Sequence, residues 1–105
     1  MPYDIILHPE ATNDISSATD EYNEKRANLG NELYIEIAEA IDRLRDNPLL
    51  FQKRYGEVHL IVIKRFSFNI YYIVQQEKNT VLIISVLHGS KNPQVWKERA
   101  DKLKE

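Results

Sequence analysis

The chain of 105 residues contains no cysteine, which excludes a disulfide framework, thiol nucleophiles and the thiolate ligands on which most structural zinc sites depend. It has no apolar run near the ~20 residues that a membrane span requires, and no basic segment leading into a long apolar stretch opens it. These absences point to a soluble, cytoplasmic protein without an export signal. Internal repeats, low-complexity tracts and Pro/Gly/Ser-rich linkers are lacking too, so residues 1–105 are expected to form one domain. His8 and His59 have no companions at metal-ligand spacing, and Asp14, Asp20 and Glu21 read as a solvated helix face rather than a metal cage. No metal or cofactor is expected.

What is present is the composition of an ordinary globular domain with a modest core, 43% hydrophobic and 29% charged. The net charge of −2 conceals an asymmetry. Residues 1–50 carry four Lys/Arg against eleven Asp/Glu, a net −7, while residues 51–105 carry ten against five, a net +5. A basic half suits an anionic partner, nucleic acid or an acidic protein surface; alternatively, acidic helices neutralise a basic sheet within the molecule.

Hydrophobic periodicity orders the elements. Residues 3–8 read as a short first strand, and Pro9 then stands where a helix begins, because its missing N–H has no intrahelical partner there. Ala11, Ile15, Ala18 and Tyr22 recur at helical spacing, with Gly30 as the expected C-terminal breaker. A second stripe of Leu33, Ile37, Ile41 and Leu44, supplemented by Tyr34, Ala38 and Ala40, stops at Asn47-Pro48, giving an antiparallel helical hairpin. Tyr22 and Tyr34 are expected to pack within it. Residues 57–64, 68–75 and 80–87 are rich in Ile, Val and Tyr with short polar links, which predicts a three-stranded antiparallel meander. Tyr71 and Tyr72 face opposite sides of it, so at least one is expected in the core, with the other free to keep its hydroxyl at a surface. Pro93 opens a short C-terminal helix bearing Val95, Trp96 and Leu103 among Lys97, Arg99, Lys102 and Lys104. The class is α+β.

Residues 84–99 are the most informative stretch, since an apolar strand empties there into His88, Lys91 and Arg99 beside the only tryptophan. A sheet fixes such an exit in space and the loop leaves it exposed. In an up-down-up meander the exit after residue 64 lies at the same end, so Lys64 and Arg65 are expected about 10 Å from His88, given a strand spacing of ~4.8 Å. His88, Arg65, Lys64, Lys91 and Arg99 could together supply acid, base and charge stabilisation for metal-free RNA cleavage. The same five residues with Trp96 could instead contact a protein. Each has a plainer alternative: a structural histidine, solvated loop and tail cations, and a Trp96 that packs the last helix, anchors a partner or stacks on a base.

The order of strand, helical hairpin, meander and basic tail resembles the ParE/RelE superfamily of toxins from bacterial type II toxin–antitoxin modules. The resemblance spans nearly the whole chain. It rests on Leu7-His8-Pro9-Glu10-Ala11-Thr12-Asn13-Asp14-Ile15, the Asn47-Pro48 stop, Lys64-Arg65-Phe66-Ser67-Phe68-Asn69-Ile70-Tyr71-Tyr72, and Val86-Leu87-His88 leading to Asn92-Pro93-Gln94-Val95-Trp96. It implies the RelE/ParE-like fold and two mechanisms upon it, ribosome-dependent cleavage of messenger RNA or inhibition of DNA gyrase, with a cognate antitoxin holding either in check. Where RelE-like nucleases place an arginine on the central strand this chain offers Asn69, and where a tail tyrosine is expected stands Trp96. Those departures favour the ParE-like, gyrase-directed branch, associated with growth inhibition and plasmid stabilisation. An inactive toxin fold that only binds protein remains a third reading. The resemblance leaves DNA binding to the complex with the antitoxin, and no recognition-helix motif is evident in this chain.

Overall fold

The computed structural model describes residues 2–103. Its elements run β1 (Asp4–Leu7), α1 (Pro9–Lys25), α2 (Leu29–Arg43), β2 (Lys53–Tyr55), β3 (Val58–Ile63), β4 (Phe68–Gln75), β5 (Thr80–His88) and α3 (Gln94–Lys102). Lys104, placed in the last helix from its sequence, lies outside the described residues. The sheet order is β1-β5-β4-β3-β2, with β1 parallel to β5 and every other pairing antiparallel. The α+β class and the meander are therefore as expected, with one strand added. β2 was not legible because three polar residues give no alternation; Gly56, at φ 54°, turns the chain so that they pair with β3.

The helical hairpin differs from expectation at its corner. α1 opens as predicted, with Pro9 in its first turn and His8 as the cap whose Nδ1 accepts the Glu10 N–H at 3.2 Å. It ends at Lys25, and the left-handed residue before α2 is Asn28, at φ 69°. Gly30 is not a breaker; it lies inside α2, buried against α1, where a Cβ would overlap the Thr19 carbonyl oxygen. Asn23 seals the corner, its Oδ1 accepting the Gly30 N–H at 2.7 Å and the Asn31 N–H at 3.3 Å. α2 stops at Arg43, short of Pro48, which is buried and whose carbonyl accepts the Tyr72 hydroxyl at 2.7 Å.

The hairpin covers one sheet face. Ala11, Ile15, Leu33, Ile37 and Leu44 pack there against Ile61, Ile63, Phe68, Ile70, Tyr72, Val81, Ile83 and Val86. Each fully buried large aliphatic contributes about 1.5–3 kcal/mol. α3 covers part of the other face, with Trp96 and Ala100 on Val58, Tyr71, Ile84 and Leu87. Both central tyrosines are consequently buried, on opposite faces, since neither face is left free at that point. Tyr22 reaches through the hairpin to Phe66 and Phe68, with edge-to-face centroids 5.6 and 5.8 Å apart. Tyr34, expected to pack, is exposed.

Candidate functional site

β1 and β2 are short and lie toward the same end of the sheet, β1 pairing with residues 80–83 of β5 and β2 with Val58 and His59 of β3. The opposite end is only three strands wide. There the pairings Ile63 with Phe68 and Phe68 with His88 put the exits of β3 and β5 in one row. The β3–β4 turn closes through left-handed Ser67, at φ 56°, whose carbonyl accepts the Gly89 N–H at 2.7 Å. The backbone juxtaposition of residues 64–65 with 88–91 is thus present, as strand geometry required.

The side chains diverge from it. Arg65 turns back onto α2, with Nη2 2.5 Å from Glu32 Oε1 and Nη1 3.0 Å from Glu36 Oε2. The Arg65 hydrogen bond holds the Glu32 carboxyl below its usual range, and Glu32 followed by Glu36 raises the Arg65 guanidinium in turn. Lys64 is exposed beside it, in a depression of about 210 Å³ shared with Glu36, Glu39 and Arg43. His88, Lys91 and Arg99 instead line a separate groove of about 560 Å³ between α1 and the β5–α3 connection. The expected single basic corner is two.

Arg99, read from the sequence as a tail cation, is the most heavily bonded side chain of the region. Its Nε is 2.6 Å from Glu10 Oε2, its Nη1 2.6 Å from Asp14 Oδ2 and 2.9 Å from Ser85 Oγ, and its Nη2 3.2 Å from Asp14 Oδ1. Burial opposes its charge, but Asp14 and then Glu10 outweigh that and its pKa is raised. Asp14 is no solvated residue: its side chain is 10% exposed and also accepts the Val86 N–H at 3.0 Å. Nothing in the sequence signalled this cluster, in which Asp14 and Arg99 are 85 positions apart. Neutralisation of basic groups by acidic helices within the molecule therefore accounts for Arg65 and Arg99.

His88 is fixed by its own turn. Its Nδ1 accepts the Ser90 N–H at 3.0 Å and lies 2.8 Å from Ser90 Oγ, while its ring meets Phe68 edge-to-face at 5.5 Å. A backbone N–H can only donate, so the neutral ring carries its proton on Nε2. In that tautomer His88 offers a donor to a ligand, and acting as a base at Nδ1 would break the Ser90 bond. Trp96 is 8% exposed, stacked on Tyr71 at 4.5 Å and edge-on to Tyr55 at 5.7 Å, which is the packing role among its three readings. Asn69 donates to the Tyr71 hydroxyl at 3.1 Å. Among the described residues neither Lys64 nor Lys91 has an ion-pair partner, and no three His, Asp or Glu side chains converge as a metal ion would require. No described helix is long and apolar enough to cross a membrane.

The sequence pattern of the family described as ParE toxin of type II toxin–antitoxin system, parDE, matches residues 5–93, ending just before α3. Among solved structures, the chain is similar to one from the chromosomal ParDE system of P. aeruginosa, with a TM-score of 0.71 and 14% identity over 82% of this chain and 95% of that one. The isolated E. coli RelE toxin gives a TM-score of 0.67 and 17% identity over 96% of this chain and 98% of that one. The intact E. coli RelBE complex gives 0.68 and 16% over 85% and 99%. No curated protein sequence matches the chain significantly. At these identities the structural likenesses establish the fold.

Proposed function

We propose that this chain, which belongs to the ParE toxin family of type II toxin–antitoxin systems, inhibits DNA gyrase by binding it and has no hydrolytic centre. The observation that carries this reading is that both arginines of the candidate set are closed in ion pairs, Arg65 with α2 and Arg99 with α1. Stabilising a pentacoordinate phosphate needs a fork of N–H donors aimed at the reacting group. Asn69, standing where the nuclease resemblance calls for arginine, carries no charge, and an indole exchanges no proton near neutral pH. Lys64, Lys91 and the His88 Nε2–H remain as donors suited to carboxylates on a protein surface.

The cognate antitoxin fits the same groups. Its toxin-binding segment is amphipathic and acidic, with carboxylates toward Lys64 and Lys91 and apolar residues over exposed Ile6 and Val62. Transcriptional repression and DNA binding belong to the complex, which resides in the cytoplasm.

The test is supercoiling and cleavage-complex formation by purified gyrase with the antitoxin-free chain. Inhibition that falls at least tenfold in a Lys64→Ala/Lys91→Ala double variant of unchanged stability is expected. An unaltered gyrase overturns the reading. Should induction instead collapse labelled amino-acid incorporation at once, in a manner lost on substituting His88 and Arg65, the chain is a RelE-like messenger RNA endonuclease. Co-purification of a stable antitoxin without any growth inhibition marks an inactive fold that only binds protein.

A further inference from the structure

Strand β1 leaves β5 early. The last bond between that part of the chain and β5 runs from the His8 N–H to the Ile83 carbonyl, at 2.9 Å, and beyond it β5 continues to His88 as an edge strand. Its register also shifts there, Tyr71 pairing with Ser85 and Tyr72 with Ile83, so that Ile84 is an extra residue. An edge amide under two helices must find an acceptor, and the Val86 N–H finds the Asp14 carboxylate of α1 in place of a neighbouring strand.

That carboxylate is held from the opposite layer. Arg99 of α3 grips both oxygens of Asp14, adds Ser85 Oγ on β5 and takes Glu10 on its Nε. Side-chain exposures of 10% for Asp14 and 17% for Arg99 place the pair largely out of water. If Arg99 departs, Asp14 is a desolvated, uncompensated carboxylate, and its lowest-energy course is to swing into solvent and abandon Val86. α3 itself has nine residues, with Trp96 and Ala100 its buried side chains and a further tie from Asp101 to the Tyr55 hydroxyl at 3.1 Å. A helix so short has no standing stability in water and is formed only while docked.

We propose that Asp14 and Arg99 form a latch that makes closure of the β5 edge and docking of α3 a single event. One carboxylate caps the edge and anchors the helix, so neither half opens alone. In the open state the Val86 edge and the apolar face of Val58, Tyr71, Ile84 and Leu87 are uncovered together, which gives this fold a built-in self-closing contact. The latch stands independently of the target of the toxin.

The test is NMR on the whole chain, with amide hydrogen exchange at Val86 normalised to Ile70 of the central strand, and 15N heteronuclear NOE values across residues 94–102. Arg99→Gln is expected to accelerate exchange at Val86 at least tenfold relative to Ile70, although Arg99 makes no bond to that amide, and to lower the NOE values of α3. Asp14→Asn keeps an oxygen for Val86 but loses the charge, and is expected to loosen α3 and deprotect Val86 together. If either variant proves too unstable to fold, Glu10→Gln weakens one arm of the latch and is expected to shift both readouts in the same direction by less. Unchanged Val86 protection in Arg99→Gln, or one readout moving without the other in any of the three, overturns the proposal.

Discussion

Gly30→Ala separates what the sequence says from what the packing says, because the two give opposite signs. In an isolated helix the substitution stabilises by about 1 kcal/mol. At this position the added Cβ would overlap the Thr19 carbonyl oxygen of α1 and press on the Asn23 side chain. A backbone carbonyl cannot rotate aside, so relief comes only by prising α1 from α2, and such overpacking costs ~3 kcal/mol at the upper end of its usual range. Displacing Asn23 also endangers its bond to the Gly30 N–H, a loss of about 1 kcal/mol. The balance is a net destabilisation of about 2–3 kcal/mol, equivalent to roughly 10 °C in Tm for a chain of this size. Urea-induced unfolding followed by circular dichroism measures it directly. A variant as stable as the parent, or more so, refutes the close-approach reasoning and leaves helix propensity as the governing term.

Burial pushes the Tyr72 phenol up to about 12, so the folded state keeps this proton through a range in which the unfolded chain, near pH 10, has released it. The Tyr72 contribution to stability is therefore expected to be level below pH 10 and to fall between pH 10 and 12, and Tyr72→Phe should remove that component; a tyrosinate absorbance titration of both proteins checks it. For Glu32 the sign is reversed, since Arg65 depresses its carboxyl: the ion pair supports folding above the ordinary carboxylate pKa and that support is lost as pH falls through the lowered value. Arg65→Gln is expected to move the Glu32 titration, followed by carboxyl 13C shifts, up toward the usual range while Arg26 still holds it slightly down, with little change in stability because the pair is exposed to water. Trp96→Ala removes a side chain stacked on Tyr71 and should cost about 3–5 kcal/mol, seen as a lower urea midpoint together with loss of the α3 amide resonances; an unchanged midpoint contradicts its packing role.

Local chemistry was enough to write down much of this molecule. Pro9 marked the start of α1, the stripe of Leu33 and Ile37 running on to Leu44 marked the buried face of α2 and its end, and the wealth of Ile, Val and Tyr in residues 68–75 located β4 to the residue. These are properties of neighbours along the chain, fixed by backbone sterics and by which side chains avoid water. Even the row formed by Ile63, Phe68 and His88 follows from short links between antiparallel strands. What only the tertiary structure decided is which charges are used and which are free. Arg65 and Arg99 look alike in the sequence to Lys64 and Lys91, yet the first two are closed by Glu32, Glu36, Glu10 and Asp14. The ends of an ion pair are chosen by the crossing of helices and sheet, through contacts between residues far apart in the chain, and such pairings leave no period or spacing for a sequence to display. The same holds for Gly30, whose missing side chain is explained by a carbonyl on another helix, and for Trp96, whose role became packing once α3 lay across Tyr71.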